Sequence, residues 1–595
     1  KELSFRDLDF TELTHDYNYS EIRNSWQGTL SYTNPSTSGF RTGGTVRYPF
    51  VDWNHQFTLG TSGNPVLPNL ESAFRPFIKI KYLIERIFQN TPFTFSSDFF
   101  DTTDFEKLYM DFNWGGDTMP APSNTYDGSW KKGVLSPPSN VNVGAYKELQ
   151  LLPETSTGGV AGSTVPPNYN TSTYIITATT DNEIYNISYN FQIENTNGTT
   201  TNAVQCRWLH TVGGVAQPDI NYQLLLLGTF KNSYIGTFQI ELNTGDTLST
   251  QWKGSFSRQN EFAGVSSTAQ FVVSNSIVSS ASILTLRGEL GQWDFLKGLI
   301  TMFNLVTLVD ENNPNNIKFE PYVDIFINNT AGTTLANRTI EHDWTDKIDV
   351  SEMKLEPLTD LNRRTIFKFV EDEDDFAFMN YKNQVGGHLY GSKKFNATDE
   401  FNILDGLDEV IAEPFAATVI RPLKDNFAQF ITPALYSYNS EDDTSEGFDN
   451  SPRIMYDNGI KTTGTSYYIP AQNGVAETIA ETDFLQFSHL SDIPTITSLP
   501  PVPTDTRDFH FGECQLLTGD VPTVNNLFNL YWLPYYNELY NPNTRTMTIK
   551  VNLNPADINT FKFNDTVFIK NRVFRVNKID YKPNDLATVE FILIP

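Results

Sequence analysis

Cysteine and histidine are scarce in this chain. Cys206 and Cys514 are the only cysteines among 595 residues. Two cysteines so far apart exclude a disulfide-dense scaffold and a zinc ribbon built on cysteine pairs. The seven histidines are scattered, and none has the short spacing to a second ligand that a zinc motif needs. The closest group of possible ligands is Asp508, His510, Glu513 and Cys514. We predict no bound metal, with this group as the alternative.

Positive charge and long apolar runs are also scarce. The chain has 42 basic against 70 acidic residues and a formal charge of -28, so its averaged field repels phosphate backbones and anionic lipids. It has no apolar run of about 18 residues and no signal-peptide pattern. Because it begins at Lys1 rather than Met, we expect that its start was trimmed or that residues precede it. We predict no sequence-specific nucleic-acid partner and no membrane span.

The motifs of common catalytic sites are missing as well. Neither a glycine-rich phosphate loop nor the nucleophile elbow of serine esterases occurs. With 70 acidic residues, chance alone supplies carboxylate pairs, so their presence is not evidence for a glycosidase. The acidic run Glu371–Asp375 lacks the spaced ligands and central glycine of an EF-hand, so we predict a solvated loop, with calcium binding as the alternative. The sequence predicts no enzyme, no catalytic residue and no cofactor.

Aromatic and small polar residues are plentiful. Aromatics make up 13% of the chain, with 44 Phe and 27 Tyr, whereas charged residues make up only 19%. Large cores can therefore form, and the many Asn, Thr, Ser and Gly favour strands and turns. At roughly 150 residues per domain, the length suggests about three to five domains. We predict a mainly β multidomain protein with a few short helices.

Periodicity divides the chain into units. An aromatic strand is expected at 47–53, an amphipathic helix opening at Arg75-Pro76, a helix over 293–304 and strands at 305–309 and 365–370. The predicted units are an N-terminal β domain (1–120), a connection (121–167), an inserted antiparallel jelly-roll sandwich (168–288), a second α+β domain (289–435), a long loop or linker (436–534) and a small C-terminal β module (535–595).

The segment 168–288 shows the strongest alternation. Tyr185, Ile187, Tyr189 and Phe191 are separated by polar residues, as in a half-buried strand, and the pattern recurs up to 283–286. Several such strands predict a sandwich or jelly roll.

Three aromatic residues of this sandwich are candidate ligand contacts. If exposed, Trp208, Tyr234 and Trp252 would offer flat faces for stacking on sugar rings or for contact with a partner. Packing in the sandwich core is the favoured interpretation of each one taken alone.

Three blocks of sequence resemble parts of tail-hub or baseplate structural proteins from tailed phages and prophages of Bacteroidetes-type bacteria. The first is Tyr48-Pro-Phe-Val-Asp52 leading into Phe74-Arg-Pro76. The second is Gln292–Leu305 followed by Asp343–Asp349. The third comprises Asn541–Ile558, Asn564–Phe568 and Phe574–Ile579. The segment 168–288 departs from these blocks and resembles a jelly-roll insertion of the complement-C1q or tumour-necrosis-factor type.

The resemblance implies a virion structural protein. Such hub proteins are trimers that close the distal end of a tail tube and connect it to fibres or a tail tip, so the expected partners are other tail proteins and further copies of the chain. The inserted sandwich would then contact a virion protein or a host surface glycan. Two alternatives stay open: a bacterial surface or secreted glycan-binding protein, and a tail-borne glycan depolymerase.

Overall fold

A computed structural model gives the fold of most of the chain. The residues it describes are 3–60, 63–115, 123–128, 133–134, 146–151, 163–179, 183–195, 202–227, 231–254, 262–264, 268–275, 277–278, 280–310, 313–328, 341–358, 360–398, 401, 404–424, 430–470, 478–493, 505–512, 514, 523–583 and 585–593.

The fold is mainly β, with several sheets and a few short helices, as predicted. Its apolar side chains form three main cores. We call the units around them the body (3–115, 277–328 and 360–539, with Ile277–Val278 paired to His15–Asp16), the sandwich (123–275) and the C-terminal module (341–357 and 545–593). The body is therefore discontinuous in sequence, and the sandwich is inserted between two of its parts.

The central sheet of the body joins strands from both ends of the sequence. Its order is Val46–Arg47, Phe77–Lys79, Leu108–Asp111, Ile454–Pro470, Pro65–Val66 and Thr58–Leu59, with Thr478–Ser488 paired to Ile454–Pro470. The prediction of a linker over 436–534 is thus wrong for Ile454–Pro470 and Thr478–Ser488, which pair as two long antiparallel strands with buried Phe484 and Phe487; we call these two strands the hairpin. The proline-rich stretch 499–503 lies outside the described residues.

Smaller sheets complete the body. They comprise Leu305–Val309 with Asn316–Pro321 and Thr94–Ser96; Lys393–Asn396 with Arg364–Val370 and Leu407–Ala416; and the pairs Ile420–Pro422 with Ile431–Pro433, Ser437–Asn439 with Thr444–Glu446, and Arg507–Asp508 with Asn525–Asn526. The strands predicted at 305–309 and 365–370 are confirmed.

The helices are short and pack against the body and the module. They are Tyr19–Gln27, Ile80–Gln89, Ser280–Arg287, Gln292–Phe303, Tyr322–Phe326, Phe376–Gln384, Leu533–Leu539 and Pro555–Thr560, with a π-helical turn at Phe528–Trp532. The helix predicted over 293–304 is confirmed.

Two predicted elements differ from the structure. The helix predicted to open at Arg75-Pro76 begins at Ile80, because Phe77–Lys79 forms a strand between two strands of the central sheet. The strand expected at 283–286 is part of a helix, Ser280–Arg287, which buries Ile283 and Leu286 in the body core.

The sandwich consists of two antiparallel sheets. One has the order Tyr169–Asn170, Ile175–Thr177, Thr247–Gly254, Asn202–Val212 and Val215–Ala216, with Lys147–Glu148 and Ile220–Leu227 attached to it. The other has the order Ser123–Gly128, Thr268–Asn275, Glu183–Asn195, Phe262–Gly264 and Gly133–Val134, with Lys231–Leu242 attached. Strands at 123–128, 133–134 and 147–148 show that part of the predicted connection belongs to the sandwich.

The C-terminal module is a six-stranded sheet with one core. Its order is Glu341–Asp343, Thr566–Ile569, Arg572–Asp580, Ala587–Leu593, Arg545–Val551 and Ile348–Pro357. The expected hairpin around Lys570 is confirmed. The predicted boundary is wrong for 341–357, which the second domain was expected to contain, because its two strands complete the module's sheet on opposite sides.

Candidate functional site

The three aromatics proposed as ligand contacts lie inside the sandwich. Trp208, Tyr234 and Trp252 are 1%, 0% and 5% exposed. Trp208 and Tyr234 pack around Tyr189, with ring centroids 5.6 and 4.6 Å from it. Their side chains are directed between the two sheets, so core packing, the interpretation favoured for each one taken alone, is observed and none offers an exposed face to a ligand.

The acidic run Glu371–Asp375 binds a buried arginine of the body. The Nη2 atom of Arg453 lies 2.5 Å from Oδ2 of Asp372 and 3.2 Å from Oδ2 of Asp375. Oδ1 of Asp375 also accepts the backbone N–H of Phe378, which caps the helix Phe376–Gln384. The solvated-loop prediction is wrong for Asp372 and Asp375, since both carboxylates are directed at a guanidinium inside the body.

A cluster of buried ionisable side chains lies at the end of the hairpin, beside Asp508, His510 and Cys514. His489 directly follows the strand Thr478–Ser488, and Asp508 ends the short strand Arg507–Asp508. The rings of His489 and His510 stack with centroids 4.3 Å apart and planes inclined by 26°. Nδ1 of His489 lies 2.7 Å from Oδ1 of Asp508, and Nδ1 of His510 lies 3.5 Å from the same oxygen. The ligand atoms of these three residues all lie within 4.8 Å of one another.

Cys514 and three body residues enclose this cluster. Sγ of Cys514 lies 3.4 Å from Nδ1 of His510. The hydroxyl of Tyr390 lies 3.2 Å from Nε2 of His489, and the backbone N–H of Thr418 donates to Nε2 of His510 at 3.3 Å. Gly391 has φ of +77°, and a Cβ there would lie 2.9 Å from Cγ of His510, so a side chain at this position would displace the ring.

The cluster is shielded from solvent. His489, Asp508 and His510 are each no more than 2% exposed, and Cys514 is 7% exposed. Burial lowers the pKa of His510 well below its ordinary value, and the neighbouring His489 and Arg453 lower it further. His510 is therefore neutral in the folded protein at neutral pH.

This geometry does not suit nucleophilic catalysis. In a Cys–His–Asp relay, the thiol and the carboxylate contact different ring nitrogens of the histidine. Here Cys514 and Asp508 both face Nδ1 of His510, whereas Nε2 accepts the Thr418 N–H. Neutral nitrogen, carboxylate and thiol donors that converge in this way are instead the donor types of transition-metal sites.

Sequence reasoning identified only part of this cluster. It grouped Asp508, His510 and Cys514, which the structure brings together, with Glu513, which lies outside the described residues. It missed His489, because motif spacing covers ligands that are close in sequence and His489 lies 19 residues before Asp508. The prediction that the histidines are isolated is wrong for His489 and His510.

A polar cleft borders the same region of the body. It has a volume of about 780 Å³, and its lining includes Asp104, Asp457 and Arg507. Burial raises the pKa of Asp457. However, Oδ2 of Asp457 lies 3.5 Å from Nε of Arg47, and Oδ2 of Asp104 lies 2.8 Å from Nε of Arg507. Because each of these carboxylates has a guanidinium partner, the pair does not resemble the acid and nucleophile of a glycosidase.

The C-terminal module presents an apolar strand at its surface. Among the described residues, Ile348–Pro357 pairs only with Arg545–Val551, so it forms an edge of the sheet; we call it the edge strand. Val350, Met353 and Leu355 are 55%, 51% and 52% exposed. Leu355 lies opposite the buried Met547, so the apolar face of the sheet continues onto the edge strand and is uncovered there.

Comparisons with known proteins give only distant structural similarities. No family model and no curated protein matches the chain. A crystal structure of murine APRIL at pH 5.0 is 10% identical, with a TM-score of 0.18, and the match covers 25% of this chain and 98% of that one. A structure of Eiger TNF from S. frugiperda is 12% identical, with a TM-score of 0.19, and the match covers 26% and 92%.

The helices of the described segments are short. None of them is both long and apolar enough to cross a bilayer.

Proposed function

We propose that this protein is a structural component of a virus particle, in the tail hub or baseplate, which acts through protein–protein interfaces. The observation that carries the proposal is the edge strand. An uncovered strand edge with apolar side chains is a ready template for pairing with another chain, and soluble monomers usually protect such edges.

The edge strand combines apolar contact with recognition by charge. Glu352, Lys354 and Glu356 alternate with its apolar residues, and Lys354 lies 2.6 Å from Glu356. The pairing of the edge strand with Arg545–Val551 is regular from Lys354 to Pro357 and shifts in register between Asp349 and Lys354. A partner strand would gain main-chain hydrogen bonds along the regular part, bury Met353 and Leu355, and be held in register by the charged residues that alternate with them. We propose a further copy of the chain as the first partner, in a homotrimer, and other tail proteins as additional ones.

The positions of the resembling blocks support the proposal. Tyr48–Asp52 and Phe74–Pro76 adjoin in the body, where Phe50 forms a β-bridge with Phe74. Asp343–Asp349 and the third block meet in the C-terminal module, where the N–H of Trp344 donates to the carbonyl of Phe568 at 3.0 Å. Blocks that are distant in sequence thus supply the cores of two adjoining units.

One rival function has lost the residues proposed for it, because the aromatics on which glycan contact by the sandwich depended are buried. Asp457 and Asp104 of the polar cleft each lie beside an arginine, so this pair does not support a depolymerase.

Light scattering of the purified full chain tests the proposal. We expect three times the mass of one chain for the wild type. Met353→Lys should shift the protein towards the monomer, since it places a charge in the buried part of the interface. Ser351→Lys is the matched control, because it adds the same charge to the same exposed strand without removing an apolar contact. A wild-type protein that stays monomeric at high concentration would contradict the trimer.

A further inference from the structure

We propose that His489, Asp508, His510 and Cys514 hold one divalent transition-metal ion of the zinc type, as a structural centre in the body. The proposal is independent of the assembly proposed above, because it concerns a buried cluster far in sequence from the edge strand.

Three of the four donors already converge, since the ligand atoms of His489, Asp508 and His510 all lie within 4.8 Å of one another. Metal–nitrogen and metal–oxygen bonds of about 2.0 Å and metal–sulfur bonds of about 2.3 Å imply ligand-to-ligand distances of about 3.3 to 3.5 Å. The distance from Nδ1 of His510 to Oδ1 of Asp508 is 3.5 Å, and that to Sγ of Cys514 is 3.4 Å. The distance from Nδ1 of His489 to the same Asp508 oxygen is 2.7 Å, so this pair has to open by a fraction of an ångström to admit an ion. Cys514 lies outside the group of three, and its thiol has to turn towards His489 and Asp508 to become the fourth ligand.

The groups around the cluster can support the ligands. Metal-bound histidines usually bond through their second ring nitrogen to a neighbouring group, which fixes the ring. Nε2 of His489 has the Tyr390 hydroxyl at 3.2 Å for this purpose. That hydroxyl also makes a hydrogen bond to Cys514, so one phenol orients two of the four proposed ligands.

The contact between Thr418 and His510 must change when the ion binds. With the N–H of Thr418 donating to Nε2 of His510 at 3.3 Å, the ring proton lies on Nδ1, the nitrogen that faces Cys514. Coordination through Nδ1 places the proton on Nε2 instead, so two donors would then face each other. Metal binding is therefore expected to release the Thr418 amide from this hydrogen bond.

The centre would link parts of the body that are distant in sequence. His489 ends the long hairpin, whereas Asp508, His510 and Cys514 belong to the next described segment, and Tyr390 and Thr418 come from two further segments. A metal ion bound here would connect the end of the hairpin to Asp508, His510 and Cys514. Its binding energy would therefore contribute directly to folding.

Cobalt substitution of the full chain provides the test. The protein is produced in cobalt-supplemented minimal medium, because a buried site is best filled during folding, and its metal content and absorption spectrum are measured after gel filtration. We expect about one cobalt per chain, visible tetrahedral bands and a near-ultraviolet band from thiolate-to-cobalt charge transfer. Absence of stoichiometric cobalt, or cobalt without the thiolate band, overturns the proposal.

Variants assign the ligands. Cys514→Ser should abolish the thiolate band, and His489→Asn should lower metal content at least tenfold after dialysis against a mild chelator. Cys206→Ser is the control, because Cys206 is the other buried cysteine and lies in the sandwich core. If Cys206→Ser removed the band and Cys514→Ser kept it, the assignment would be wrong. The wild-type spectrum decides the question even if a ligand variant fails to fold.

Discussion

Arg287 and Asp111 form a buried ion pair, with Nη2 of the arginine 2.7 Å from Oδ2 of the aspartate. Asp111 ends the strand Leu108–Asp111 shortly before the chain leaves the body for the sandwich, and Arg287 ends the helix Ser280–Arg287 by which the chain returns. The pair therefore joins the two ends of the insertion. Arg287 also donates to the Asn450 carbonyl at 2.6 Å, and Asp111 accepts the N–H of Arg453 at 2.6 Å.

Asp111→Ala should strongly destabilise the body. The substitution leaves the guanidinium of Arg287 buried without its charge partner, which typically costs about 3–5 kcal/mol. Glu289→Ala is the control, because it removes an exposed ion pair with Arg6 near the same helix end and should change stability little. Urea unfolding followed by tryptophan fluorescence measures the free energy of unfolding of both variants. Equal losses of that free energy in the two variants would show that the buried pair does not stabilise the junction.

The body should fold without the sandwich. The Arg287–Asp111 pair holds the two ends of the insertion together, and each unit has its own core, so replacing 123–275 by a few Gly and Ser residues removes one core and leaves the other. We expect the shortened chain to be soluble and to unfold cooperatively in calorimetry. Adding Asp111→Ala to it should lower its melting temperature; a shortened chain that does not fold would mean that the body depends on the sandwich.

The sequence predicted elements with clear periodicity and missed those whose pattern is interrupted. Tyr185, Ile187, Tyr189 and Phe191 are buried as expected, with the exposed Ser188 between them, because alternation with a period of two is typical of a strand. The hairpin of Ile454–Pro470 and Thr478–Ser488 was missed because Gly459 and Gly464, both with φ of +76°, accompany shifts in its strand register. Such irregularities interrupt the alternation and resemble a loop.

The place of His489 in the candidate metal cluster and the helix Ser280–Arg287 were missed for other reasons. Ile283 and Leu286 lie in a short apolar run, and periodicity over so few residues does not separate a helix from a strand. His489 and His510 meet only through the tertiary fold, and a single sequence gives no signal for a contact of that kind.

Glu320 should make the stability of the body fall as pH rises. Its Oε1 accepts the N–H of Asp98 at 2.7 Å and its Oε2 that of Phe99 at 3.2 Å. Burial raises the pKa of Glu320 to about 7, and the nearby Asp98 and Asp324 contribute to the increase. In the unfolded chain the pKa is about 4.3. Between about pH 4.3 and pH 7, the carboxyl group of Glu320 binds more protons in the folded state than in the unfolded state. Its contribution to the free energy of unfolding therefore declines as pH rises and is lost above about pH 7.

Glu320→Gln separates this effect from other titrations. Because glutamine does not ionise, we expect the stability of the wild type relative to the variant to decrease from pH 5 to pH 8, by about 2–3 kcal/mol at most. Urea unfolding at several pH values measures the difference. Glu441→Gln, an exposed position, is the control and should follow the wild-type curve. If the free energies of unfolding of the wild type and Glu320→Gln differed by the same amount from pH 5 to pH 8, the predicted ionisation would be wrong.

Gly298 is required by the close approach of a helix to a strand. The helix Gln292–Phe303 packs on the strand Leu407–Ala416, and a Cβ at Gly298 would lie 2.6 Å from the carbonyl oxygen of Glu413 and 2.4 Å from Cε2 of Phe415. Alanine in a helix is ordinarily more stable than glycine by about 1 kcal/mol. Here the helix must move away from the strand, so we expect Gly298→Ala to destabilise the body by about 1–3 kcal/mol.

The control for this prediction lies one residue away. Lys297→Ala changes an exposed position on the same helix and should shift stability by less than about 0.5 kcal/mol. Both variants are compared with the wild type by thermal unfolding. Stabilisation by Gly298→Ala would mean that helix propensity outweighs packing, and hence that helix and strand are farther apart than the structure places them. Destabilisation by Gly298→Ala alone ties the second resembling block to the core of the body, since Gly298 lies within that block.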